Sequence, residues 1–113
     1  MKTTVKCEGW WRQYGKQERM MLELEFDGSQ FTGTGEDIIG KFIIVDGNIV
    51  NRQVTFSKQY VGAHEVIYVG ETVGDENQIW KGAYGFRHGF GGDQFEIQLK
   101  SSTGEIQEIR SAS

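Results

Sequence analysis

In the stretch TFSKQYVGAHEVIYVGE sit the side chains of this chain best suited to hold a small molecule. On extended backbone, successive side chains point to opposite faces, so Phe56, Lys58 and Tyr60 share one face of a strand. His64, Val66 and Tyr68 share one face of the next. If both faces look inward, Lys58, Tyr60, His64 and Tyr68 gather near one end of the fold as an aromatic wall with a few polar anchors. That composition suits a small anionic or aromatic ligand. Trp80 and Tyr84 share a face of a later strand, whose direction alternation alone does not fix. Arg87 and His88 lie in GFRHGFGGD, a nine-residue connection longer than a tight hairpin needs, and are placed to guard a pocket entrance. The candidate ligand-binding set is therefore Lys58, Tyr60, His64, Tyr68, Trp80, Tyr84, Arg87 and His88. The competing reading has Lys58 reaching out to solvent and the tyrosines capping an interior filled by its own side chains.

Other chemistries find less support. His64 and His88 are too far apart for a local metal motif, and Glu65, Asp93 and the single Cys7 add no recognised ligand spacing, so neither metal nor cofactor is expected. Cys7 falls among buried residue types in a strand, where a thiol is inert. A phosphate-cradling loop needs a following helix to aim amides at the anion. Here the glycines of GFRHGFGGD run into Phe95-Glu96-Ile97-Gln98-Leu99, a strand. An acid/base site of the isomerase or cyclase sort, pairing His64 or His88 with Glu65 or Asp93, is the weakest alternative.

The elements that must position these residues share one period. Met20, Leu22, Leu24 and Phe26 alternate with Met21, Glu23 and Glu25, a strand with one wet face, and Asp27-Gly28 turns the chain back through Phe31. A second hairpin is predicted from Phe42–Val45 through Asp46-Gly47-Asn48 into a strand carrying Val50, Val54, Phe56 and Tyr60. Further strands follow from a turn near Val61-Gly62, from QIWKGAYGF and from DQFEIQLK. With a first strand over Val5 to Gln13, about eight strands result, and a ninth is possible around Glu105 to Arg110. Local connections favour an antiparallel meander, and closure of the meander removes its two exposed edges. The fold class expected is all-β, an eight-stranded antiparallel up-and-down β-barrel. The absence of proline and the 16 glycines fit strands joined and bent at glycine.

GWWRQYGKQERMMLELEFDGSQFTGTGED resembles the opening of the avidin and streptavidin group, with a Gly-Trp first strand, a short polar loop, an alternating second strand, and a Gly-Thr-containing third. QIWKGAY is similar to the Trp-bearing later strands of that group. The resemblance implies a calycin-type eight-stranded barrel with a ligand pocket at one mouth. The family's tryptophan wall is partly represented, by Trp10, Trp11 and Trp80. Gln13 and Lys16 stand nearest to the family's first-loop Asn and Ser, so those biotin contacts are not carried across. Lipocalins and fatty-acid-binding proteins share the plan with longer chains or a helical lid.

A chain of 113 residues fits one domain, 1–113. A net charge of −4 with no basic run argues against nucleic acid, and no apolar run approaches membrane-spanning length. A soluble cytoplasmic protein is the expectation. Three functions fit: non-catalytic binding of a hydrophobic or aromatic small molecule at a barrel mouth; a filled barrel serving as an interaction or homo-oligomerising module through Trp10 or Trp11; and the acid/base enzyme.

Overall fold

Alternation sorts the side chains of every strand in the computed structural model, which describes residues 2–74, 78–86 and 92–100. Strand β1 (Lys2–Gln13) buries Val5, Cys7 and Trp11, while β2 (Lys16–Asp27) buries Met20, Leu22, Leu24 and Phe26. The intervening Lys6, Arg12, Glu23 and Glu25 face outward. The chain continues through β3 (Gln30–Asp37), β4 (Lys41–Val50), β5 (Gln53–Tyr60), β6 (Glu65–Val73), β7 (Ile79–Phe86) and β8 (Gln94–Lys100). Each strand pairs antiparallel with the next, and β8 returns to β1, with Lys6 opposite Lys100 and Trp11 opposite Phe95. The sheet is a closed eight-stranded up-and-down barrel, so no strand edge is left as a pairing template along that seam. Glu8 ties the seam from outside, accepting from Lys100 Nζ at 2.8 Å and from Arg19 on the other flank.

Turn chemistry explains most of the connections. Gly28 and Gly62 have positive φ at the two turns where the sequence calls for them. The expected turn at Asp46-Gly47-Asn48 is a correction. Strand β4 runs on to Val50, and the chain reverses at Asn51 and Arg52, whose φ values of 51° and 72° fit a tight hairpin. Asp46 and Gly47 instead form a bulge, where the pairing register with β5 shifts between Val45 and Asn48. The left-handed tolerance of Asp-Gly serves Asp46 (φ 55°), and Gly47 lies so close to Phe31 that an added Cβ would meet its ring at 2.4 Å. Bulge and turn use the same residue types, so composition alone favours the wrong site.

The core divides along the barrel axis. At the end holding the β2–β3 and β4–β5 turns, Trp80 packs against Phe31 (5.1 Å between ring centroids), Phe56 (6.1 Å) and Phe26 (6.2 Å) and leaves the interior filled. At the other end, where the β1–β2, β3–β4 and β5–β6 turns gather, the interior opens. Among the described residues no helix is long and apolar enough to cross a membrane. Arg87, His88 and the possible strand around Glu105 to Arg110 lie outside the described residues.

Candidate ligand site at one barrel mouth

A cavity of about 300 Å³ occupies the open end, lined by Trp11, Gln13, Ile39, Tyr60, His64, Val66, Tyr68, Tyr84 and Phe86. Its walls follow from register. Tyr68 and Tyr84 are cross-strand partners, as are Val66 and Phe86, so two inward rows of β6 and β7 meet side by side. Trp11 stands edge-on to Tyr84 at 6.2 Å. The β5–β6 turn, closed by the Ala63 amide donating to the Tyr60 carbonyl at 3.0 Å, sets His64 at the rim between Tyr60 and Phe86. A wider hollow on the outer wall, among Lys2, Glu25, Asp27 and Asn48, is bounded by polar side chains and lies outside the barrel.

Beneath the cavity lies a buried ion pair. Lys58 Nζ donates to Asp37 Oδ2 at 2.9 Å, and the two side chains are 2% and 0% exposed. The same oxygen accepts from the Tyr60 hydroxyl at 2.6 Å and from Trp11 Nε1 at 3.2 Å. Asp37 Oδ1 accepts from the amides of Ile39 (2.9 Å) and Gly40 (3.4 Å), holding the β3–β4 turn against the mouth. A buried charge is tolerable only when paired and hydrogen-bonded, and Asp37 meets both conditions. Burial opposes its ionisation, but the hydrogen bonds from Lys58 and Tyr60, the Lys58 charge and the Ile39 amide together hold its pKa below the usual carboxylate value. Burial lowers the Lys58 pKa, and Asp37 acts against that shift. The ammonium also sits within about 5 Å of the ring centroids of Phe42 (4.6 Å), Tyr60 (4.9 Å) and Tyr68 (5.2 Å).

The structure brings Tyr60, His64, Tyr68 and Tyr84 to the cavity wall and places Lys58 under its floor. Trp80 also points inward, yet it belongs to the filled half and does not line the cavity. The outward reach once open to Lys58 is excluded by its burial. Trp11 is the core member of the first tryptophan pair, and Trp10 lies half-buried on the outer face beneath the Arg12 guanidinium, 4.8 Å from its ring. Glu65 is not oriented for work with His64. Its carboxylate accepts from Ser57 (2.6 Å) and Gln59 (3.0 Å) of β5, whose odd-numbered side chains alternate with the inward Phe56, Lys58 and Tyr60. Asp93 accepts from the amide of Gln94. Among the described residues no group of three His, Cys, Asp or Glu side chains could hold a metal ion.

The candidate ligand-binding set left out Asp37, Trp11, Gln13, Ile39 and Phe86, of which Trp11 alone had been pointed to, by the family resemblance. For Asp37 a signal existed. The inward positions of β3 run Phe31, Gly33, Gly35, Asp37, so strict alternation carries the barrel face on to the carboxylate. Comparison with protein-family models, curated proteins and solved structures finds no match to this chain. What it has in common with the avidin and streptavidin group is the eight-stranded antiparallel barrel plan.

Proposed function

We propose that this protein binds a small, planar, largely apolar molecule at the open mouth of the barrel and does not transform it. The observation that carries the reading is the composition of the cavity wall, in which Trp11, Tyr60, Tyr68, Tyr84 and Phe86 surround about 300 Å³ of space. That volume stands at the lower end of small-molecule sites. Rigid rings preset by cross-strand packing hold such a space open at small entropic cost. The avidin-like opening of the sequence supports the same reading, because that group keeps its ligand at one mouth of a comparable barrel.

Binding without chemistry is favoured by how the polar groups are used. Asp37 accepts five hydrogen bonds and has no lone pair left for proton abstraction, and among the described residues no carboxylate is hydrogen-bonded to His64 as its partner. Titration of uniformly ¹⁵N-labelled protein with p-cresol tests the proposal. Saturable shifts confined to the Trp11 indole and to the amides of Ile39, His64, Val66 and Phe86 are expected. Absence of saturation, or shifts spread over the outer wall, refutes it.

A second reading, an interaction or self-association surface, draws on three side chains around the same mouth. Tyr14 is 93% exposed, and Ile38 and Val61 are each 73% exposed, on three neighbouring turns. A strict monomer by light scattering at 100 µM (a concentration on the order at which weak contacts populate) counts against it.

A further inference from the structure

We infer that the ligand carries a neutral hydrogen-bond-acceptor oxygen, of the aryl ketone or aryl aldehyde class, and that the Tyr68 hydroxyl is its donor. This rests on the mouth cavity being a ligand site and specifies which chemistry it selects.

Gln13 and His64 stand on the cavity lining beside four buried aromatic side chains that carry a polar atom, Trp11, Tyr60, Tyr68 and Tyr84, and three of those four already have a partner. Trp11 Nε1 and the Tyr60 hydroxyl are both committed to Asp37, and the Tyr84 hydroxyl donates to the Arg12 carbonyl. Tyr68 is different. It is 1% exposed and lines the cavity, yet its hydroxyl has no hydrogen-bond partner among the described residues. The one buried side-chain polar atom sealed off without a partner among them is Trp80 Nε1, so the Tyr68 oxygen is not sealed. For a residue otherwise enclosed by Phe56 (stacked at 4.8 Å), Phe95 (4.8 Å) and Tyr84 (5.6 Å), the cavity is the side on which it opens. An almost wholly buried hydroxyl left to face an apolar cavity is a group awaiting a partner, since leaving it unpaired forfeits a hydrogen bond it could make with water when unfolded.

The charge of that partner follows from what already occupies the floor. Burial, with the negative charge of Asp37 adding to it, keeps the Tyr68 phenol protonated, so it serves as donor. A carboxylate ligand would bring a second negative charge toward Asp37, whose one cationic partner, Lys58, is already bound to it. A cationic ligand meets the opposite obstacle. The faces of Trp11, Tyr60 and Tyr68 already carry the Lys58 ammonium at 5.6, 4.9 and 5.2 Å. A neutral carbonyl on a flat ring meets neither repulsion, and the ring itself would lie in the cavity that Trp11, Tyr84 and Phe86 line.

Acetophenone, toluene, benzoate and phenyltrimethylammonium, titrated separately into the wild-type chain and into Tyr68→Phe and Tyr84→Phe, test the assignment. One net hydrogen bond corresponds to about a three- to tenfold preference for acetophenone over toluene. That preference is expected in wild type and in Tyr84→Phe and lost in Tyr68→Phe, with benzoate and phenyltrimethylammonium weaker than acetophenone throughout. Since the hydroxyl gives up no hydrogen bond to the described residues, Tyr68→Phe is expected to melt at or above the wild-type temperature, which separates lost recognition from lost folding. Equal binding of acetophenone and toluene, persistence of the preference in Tyr68→Phe, or tighter binding of either ion overturns the carbonyl assignment while leaving the cavity a ligand site. Failure of all four compounds to bind at the mouth overturns both.

Discussion

Lys58 and Asp37 show how a pair of charges is made compatible with the inside of a barrel. Removing one partner leaves the other buried and uncompensated, so Lys58→Met is expected to cost about 3–5 kcal/mol in urea unfolding. The double change Lys58→Met with Asp37→Asn is expected to cost less than Lys58→Met alone, because the pair acts as a unit and the amide keeps an acceptor for Trp11 and Tyr60. The pH dependence has a definite sign. Because the folded Asp37 pKa is lowered, its contribution is present above the unfolded value of about 3.9 and is lost as pH falls through the folded value. The stability gap between wild type and Asp37→Asn, measured by urea titration at successive pH values, should therefore narrow on the acid side. The tyrosines act at the other extreme. Burial raises Tyr60, Tyr68 and Tyr84, so the unfolded chain ionises first and stability falls as pH climbs above about 10. Cys7, buried and pushed up to about 12, should react with a disulfide reagent at pH 8 only after denaturation.

Strands and turns carry a different set of constraints. Gly35 faces inward on β3, where an added Cβ would meet the Phe42 ring at 2.5 Å and the Met21 carbonyl at 2.4 Å. Gly35→Val is expected to destabilise by roughly 1–3 kcal/mol or more, through overpacking against backbone that has no room to move. The β1–β2 turn offers the converse. Tyr14 adopts a φ of 52° ahead of Gly15 at 78°, a two-residue turn of the kind that favours Asn-Gly, and its side chain is almost wholly exposed. Tyr14→Asn should raise stability by about 0.5–1 kcal/mol in thermal unfolding. If it lowers stability instead, the tyrosine has a packing role that its exposure does not show. The strands were largely legible in the sequence because a half-buried strand writes its burial as strict alternation, seen most plainly in Met20 to Phe26. The second hairpin was not, because Asp46-Gly47 and Asn51-Arg52 both tolerate left-handed backbone, and only pairing with β3 and β5 selects which becomes the turn.

For the molecule as a whole, the barrel is neither hollow nor fully filled. One half is occupied by Trp80, Phe26, Phe31 and Phe56, and the other opens into the aromatic cavity above the ion pair. A filled half gives the rigid support a site needs, since the rings that line the cavity are held by those that fill the base, as Phe56 holds Tyr68. Ligand should stabilise the folded state by mass action, so acetophenone at increasing concentration is expected to raise the melting temperature of wild type progressively. A flat response would argue that the mouth is closed to it.

The sequence by itself determined the all-β class, the eight described strands and which side chains of each strand share a face, because these depend on local alternation and turn residues. It also named Tyr60, His64, Tyr68 and Tyr84, which lie close together along neighbouring strands. Only the tertiary structure decided which end stays open, that Trp80 fills rather than receives, and that Lys58 turns inward to Asp37, 21 residues away. Those outcomes depend on the register and closure of strands distant in sequence, and on desolvated charges finding each other across the barrel, which no local pattern encodes.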